Sequence, residues 1–247
     1  MDLQADERSS ESPLVERIWN SRTDQPGEFI SIAANHSELV ITKRQGSLRI
    51  TFRGPETRAT KAYAPDNAEF VGIMFRLGTF LPKLPIAALV DSSIDLPQAT
   101  GQSFWLNGSV WEVPTFENAD VFVNRLIREE LLVHDGIVDT LLQGEISKLS
   151  IRTTQRRFVQ ATGLTHTTVR QIERARHATM LLKQGNSIMD TVFEADYFDQ
   201  PHLTRSLKHY IGQTPAQLMN EHRAERLSFL YQTTPQPPGL VLQKTAI

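Results

Sequence analysis

Between Asp199 and Tyr210 the chain sets Gln200, His202, Thr204, Arg205, Ser206, Lys208 and His209 around only three apolar residues, Leu203, Leu207 and Tyr210. Apolar residues at i, i+4 and i+7 make one narrow helical stripe, so the rest of the surface is left to hydrogen-bond donors and acceptors. Asp199 is a candidate N-cap, and Pro201 fits the first turn of the same helix. A second face of this kind lies about fifty residues upstream, in Leu149 to Gly163. There Ser150 can cap a helix, Thr154 and Phe158 face inward, and Arg152, Gln155, Arg156 and Val159 share the other side. Arg and Gln can each make paired hydrogen bonds to base edges in the major groove of DNA. Lys and His can meet phosphates without specifying a base.

Such faces need elements that hold them out. Before the downstream face, Ile188, Val192 and Ala195 mark a short helix over Ser187–Glu194, and Asp196 supplies a tight turn. Two short helices joined in this way, the second carrying the donors, form a helix-turn-helix. Between the two donor faces, Val169, Ile172, Ala175, Ala178 or Thr179, and Leu182 recur at helical spacing, and Gly185 ends the run as a C′ residue. Ser187 followed by Asp190 opens the next helix. Arg174 and Arg176 on the long helix are expected to be ion-paired or structural.

The front half has a different period. Leu48, Ile50 and Phe52 alternate with Arg49, Thr51 and Arg53, and Gln45-Gly46 just before them suggests a hairpin turn. Val71, Ile73, Phe75 and Leu77 repeat the alternation, and prolines at 55, 65, 82, 85 and 97 argue against long helices. A small antiparallel sandwich or barrel is expected over residues 14–113. A helix capped at Thr115 should follow, with Phe122, Leu126, Ile127 and Leu131 as its apolar stripe. That stripe packs on its own domain or, if exposed, serves as a dimer seam.

The totals bound the function. The 247 residues allow one large or two modest domains, and the formal charge of −2 hides an asymmetry. Residues 1–149 carry 14 Lys and Arg against 21 Asp and Glu, a net of −7. Residues 150–223 carry 10 against 6, a net of +4, with five of the seven histidines. The basic part is the candidate for a polyanionic partner. The absence of cysteine removes disulfides, thiolate zinc sites and cysteine nucleophiles. No secretory signal and no membrane span are expected, so the cytoplasm is the expected location. His36 and His134 are the only histidines in the front half, without the close His and Glu spacing of a metal-binding barrel. There is no phosphate-binding glycine loop, no Gly-x-Ser-x-Gly and no His-Glu-x-x-His, so neither an enzyme nor a cofactor is expected. Trp19, Trp105 and Trp111 are expected to fill a β-core rather than line a ligand pocket.

Residues 150–223 resemble the DNA-binding region of AraC/XylS-family transcriptional regulators. The resemblance rests on "RTTQRRFVQATGL", on "QIERARHATMLLKQGNSIMDTVFEADYFDQPHLTRSLKHY" and on "IGQTPAQL" at fixed distance behind it. The front half is similar to a poorly characterised β-rich region found in a subset of these regulators, through "FRGPETRAT", "FRLGTFLP" and "SFWLNGSVWEVPTFENADVFVNRL". The resemblance implies an α+β multidomain chain. Residues 1–13 would be disordered, 14–134 a sensor or dimerisation domain ending in a helix, 135–231 a DNA-binding domain, and 232–247 a loose tail. The DNA-binding domain would be all-α, with two helix-turn-helix units joined by a long helix over Thr167–Lys183 and each recognition helix in its own major groove. Matching positions make Arg152, Gln155 and Arg156 the base readers of the first unit. They make Gln200, Thr204 and Arg205 those of the second, with His202 and Lys208 nearer the backbone. Partners implied are double-stranded DNA, a small-molecule effector of unknown identity, a second copy of the chain, and RNA polymerase if this bacterial regulator activates. Departures from the pattern are Asp196 where the turn glycine stands, Pro201 in the first turn of the second recognition helix, Gly144 in a weak first positioning helix, and Lys148 in its turn. Two other readings stay open at this point: a protein-interaction module whose helical half no longer reads DNA, and an enzyme seated in the β-domain.

Overall fold

The computed structural model describes residues 3–220 and residue 227. Its first part is built from β1 (Leu3–Arg8), β2 (Val15–Thr23), β3 (Gly27–Ser31), β4 (Glu38–Arg44), β5 (Ser47–Arg53), β6 (Thr60–Ala64) and β7 (Ala68–Phe75). Shorter strands follow: β8 (Thr79–Phe80), β9 (Ser93–Leu96), β10 (Gln98–Thr100), β11 (Ser103–Leu106) and β12 (Ser109–Glu112). Helix α1 (Ala119–Arg128) comes next, then β13 (Val133–His134). The remainder is helical: α2 (Ile137–Leu142), α3 (Ile151–Thr162), α4 (His166–Lys183), α5 (Ile188–Glu194), α6 (Gln200–Tyr210) and α7 (Pro215–Leu218).

Six strands form one antiparallel sheet in the order β1-β2-β7-β4-β5-β9. The β4–β5 hairpin turns at Gln45 and Gly46, with φ of 49° and 78°. These paired left-handed values are what a two-residue hairpin turn needs, and they set the register at Arg44 opposite Ser47. One face of the sheet carries Ile18, Ile41, Ile50, Phe52, Ile73 and Phe75 into a single core. That core is closed by Phe104 and Trp111 from the β10-β11-β12 sheet and by Phe122, Val123 and Leu126 of α1. Trp111 meets Phe122 edge-on at 5.7 Å and carries the Arg125 guanidinium 4.3 Å above its ring. Full burial of each such large side chain contributes roughly 1.5–3 kcal/mol.

Three expectations need correction. Residues 3–8 are not a loose terminus: β1 pairs with β2 from Leu3↔Thr23 to Arg8↔Ile18. Arg8 is anchored further by its bonds to the Phe116 carbonyl and to Asp120. A polar edge strand has no apolar alternation to betray it. Helix α1 is entered at Asn118, not Thr115, because Thr115 and Asn118 bond each other across the turn before it. Of the three tryptophans only Trp19 and Trp111 are buried, whereas Trp105 is 45% exposed. The apolar stripe of α1 packs on the sheet, so it offers no exposed dimer seam. The expected tail at 232–247 lies outside the described residues.

The β-part and the helices share cores. Ile30 and Ile32, at and just after the end of β3, pack with Ala175, Ala178, Leu182, Val192, Leu203 and Leu207 from α4, α5 and α6. Ala33 joins Ile137, Val138, Phe158, Val169 and Ile172 in a second cluster. Residues 30–37 and 54–60 are thus among the segments through which the β-part touches the helices, together with Leu77, Phe80 and Val90. Among the described residues no helix is long and apolar enough to cross a membrane.

Candidate nucleic-acid interface

The downstream donor face sits on α6 as its caps dictate. The Asp199 side chain accepts the His202 backbone N–H at 2.7 Å, and Pro201 occupies the first turn. Leu203 and Leu207 are fully buried, so the stripe is spent on the core. Ahead of it, α5 is capped by Ser187, which accepts the Asp190 N–H at 3.1 Å. The chain then turns at Asp196 with φ 57°, the left-handed value that a glycine would hold more easily. Asp196 therefore does the work of the turn glycine without breaking the unit.

Helix α4 holds this turn in place. Arg174 lies 4.6 Å over the Tyr197 ring and donates to the Asp196 carbonyl at 3.3 Å. Tyr197 and Ser206 share a hydroxyl hydrogen bond at 2.8 Å, and burial pushes the Tyr197 phenol up from its usual pKa. The Tyr210 hydroxyl donates to Gln171 at 2.9 Å. Arg174 is thus a structural residue, as its place on the linking helix suggested.

The two sets of sequence-predicted residues are displayed differently. On α6, Gln200, Arg205 and Lys208 are exposed, while Thr204 and His202 are half-buried. The His202 ring is turned inward, edge-on to Tyr197 at 5.1 Å, with Nδ1 facing the Phe198 N–H at 3.5 Å. On α3, Arg152, Gln155 and Arg156 are all exposed on one face. Among the described residues no carboxylate is paired with Arg152, Arg156, Arg205 or Lys208. Arg157 differs: it bonds Asp135 through two nitrogens at 3.0 and 2.6 Å, which removes it from the open face.

The first unit departs from a tight helix-turn-helix. Ser150 caps α3, accepting the Thr153 N–H at 3.2 Å, and Thr154 and Phe158 are buried as expected. Its positioning helix α2 has only 6 residues, and Gly144 beyond it takes φ 73°. Gly144 is therefore a left-handed terminator rather than a weakened helix interior. Residues 143–150 make the connection, so Lys148 lies within a loop instead of a tight turn.

Sequence reasoning missed what holds the far end of α6. A helix leaves its last carbonyls without partners. Here the Ala59 N–H donates to the His209 carbonyl and the Ala33 N–H to the Tyr210 carbonyl, both at 2.8 Å. Both donors belong to the β-part. Asn35 adds a side-chain bond to Glu173 of α4 at 2.6 Å. Backbone amides of alanines carry no residue-type signal, so nothing in the sequence marked them. Behind these segments, Arg53 bridges Glu38 and Glu56, and Ser31 donates to Glu56 at 2.7 Å. Burial, aided by Arg176, Arg53 and Arg17, pulls the His36 pKa down to about 3, and burial pushes the Glu38 carboxyl up against the pull of Arg53.

The arrangement is two capped helices whose exposed arginines and lysine, Arg157 apart, have no carboxylate partner among the described residues, joined by an 18-residue helix and backed by a β-part. Residues 145–221 match the family model described as a helix-turn-helix domain. No curated protein matches the chain. Among solved structures the chain is similar to ToxT from Vibrio cholerae, at 9% identity and a TM-score of 0.34, with 89% of this chain and 98% of that one covered. A second ToxT structure, bound to (E)-4-(8-methylnaphthalen-1-yl)but-3-enoic acid, aligns at 9% identity and 0.32, covering 88% and 97%. Residues 145–221, which hold α3 to α7, thus form a helix-turn-helix domain.

Proposed function

We propose that the chain is a sequence-specific DNA-binding transcription regulator that reads two adjacent major grooves. The observation that carries this reading is the pair of open donor faces on α3 and α6, each free of carboxylate partners among the described residues. Arg152, Gln155 and Arg156 read bases in one groove. Gln200, Thr204 and Arg205 read bases in the next, about one helical turn or ~34 Å away. Lys208 meets a phosphate, while His202, turned inward onto Tyr197, supports the helix rather than the DNA contact. In this reading the protein works in the cytoplasm, and an activator among such regulators would also touch RNA polymerase.

The β-part senses a small molecule, dimerises, or both. Its hold on the His209 and Tyr210 carbonyls supports a coupling role, since any shift of residues 31–37 or 54–60 moves the C-terminal end of α6. The test is selection of binding sites from random duplexes by the full chain, followed by titration at ~150 mM salt. Enrichment of one site with two half-sites about a turn apart is expected. Equal affinity for the selected and random duplexes at that salt would reject sequence-specific binding.

A further inference from the structure

Each recognition helix shows a large apolar side chain to solvent at its N-terminal edge. Ile151, the first residue of α3, is 78% exposed, and Phe198, immediately before the Asp199 cap of α6, is 90% exposed. Neither is needed by its helix. An apolar residue before the N-cap ordinarily staples onto the fourth helical residue. For α6 that residue is Leu203, which is already fully buried without it. Ile151 likewise lies outside the apolar clusters that hold Phe158 and Ala161 of its own helix. Exposed apolar groups of this size, one just inside the Ser150 cap and one just outside the Asp199 cap, call for a partner.

Their neighbours indicate which partner. Ile151 adjoins Arg152 and lies four residues before Gln155. Phe198 is separated from Gln200 only by the cap. A recognition helix enters the major groove with its N-terminal residues against the base edges. The apolar group that the groove offers there is the C5-methyl of thymine. We infer that both units select a thymine by methyl contact, through Ile151 in one groove and Phe198 in the next. This rests on the DNA-binding reading above and adds to it. The arginines and glutamines choose by hydrogen bonds, and the two apolar residues choose by a methyl group. In the second unit it also fills the place where Pro201 offers no donor.

The test uses the full chain and the duplex recovered by site selection. Each thymine is replaced singly by deoxyuridine, which removes only the methyl, and affinity is read by fluorescence anisotropy. Burying one methyl-sized group corresponds to about a fourfold change in affinity. We expect one sensitive thymine in each half-site, each weakening the wild-type protein about fourfold. In Ile151→Ala the first replacement should have no further effect, and in Phe198→Ala the second should have none, while circular dichroism confirms that both variants fold. A selected site whose uracil-sensitive positions are uncoupled from both residues overturns the inference and leaves the DNA-binding reading standing. So does unchanged affinity of both variants accompanied by loss of transcription, which would assign these side chains to a protein partner. Coupling in one unit alone overturns it for the other. Failure of the wild-type chain to select any site overturns the DNA-binding reading and this inference together.

Discussion

At the scale of single residues, exposure and pairing separate side chains that look alike in sequence. Arg156 and Arg157 are neighbours and both exposed, yet among the described residues only Arg156 lacks a carboxylate partner, because Arg157 is committed to Asp135. Among the described residues neither Arg205 nor Lys208 has a carboxylate partner, and their chemistry predicts different phenotypes. Arg205→Ala should cost ~1–3 kcal/mol of binding and relax preference at one base pair. Lys208→Ala should weaken all duplexes alike and lower the salt slope by about 1. Titrations of single-base variants of the selected site at two salt concentrations distinguish the two. A uniform loss from Arg205→Ala would move that residue to the phosphate class. A second residue-scale prediction concerns Gly72, which lies directly across from Trp19 in the β2–β7 pair. A Cβ there would stand 2.0 Å from the indole, so Gly72→Ala must displace a buried tryptophan. The expected loss is ~1–3 kcal/mol or more in urea unfolding, and an unchanged midpoint would show that the ring moves freely.

Among the elements, the second helix-turn-helix is a complete unit and the first is not. The α5–α6 turn is closed by Asp196 in a left-handed conformation, pinned from α4 by Arg174. An L-residue pays on the order of 1 kcal/mol for that backbone region. Asp196→Gly should therefore raise stability by about that amount, measured as an upward shift of the thermal midpoint. A drop instead would mean that the aspartate side chain holds the turn by a contact of its own. In the first unit, α2 is short and the chain takes residues 143–150 to reach α3. Gly144 there follows the helix rather than interrupting it.

For the whole molecule, the decisive feature is that the β-part and the recognition helix share backbone hydrogen bonds and a core. One of the two segments that supply these bonds, residues 31–37, also carries His36, buried with its pKa near 3 against an ordinary 6.5. Between those values the unfolded chain holds a proton that the folded chain refuses. Stability from this group is thus fully present above about pH 6.5 and drains as pH falls toward 3, by up to about 1.4 kcal/mol per pH unit. Glu38, buried beside Arg53, has a raised pKa and acts with the opposite sign, losing its contribution as pH rises above the ordinary carboxylate range. Comparison with His36→Gln isolates the histidine. The stability advantage of wild type over the variant should shrink as pH drops from 6.5 to 4.5. Parallel pH profiles for the two would remove His36 from the account.

What the residues determined unaided was everything governed by local spacing. The caps at Ser150, Ser187 and Asp199, the linking helix, the Gln45-Gly46 hairpin and the donor faces of α3 and α6 follow from side-chain period and backbone preference, which a few neighbouring residues decide. The sites legible in this way are those where one helix face must be apolar and the other is left over. Tertiary structure alone decided the rest. It put the polar strand β1 on the sheet edge, turned His202 inward onto Tyr197, diverted Arg157 to Asp135 and closed the end of α6 with the amides of Ala33 and Ala59. Apart from the His202 contact with nearby Tyr197, each of these joins groups distant in the chain or uses backbone atoms common to every residue, and neither leaves a mark in residue type or spacing.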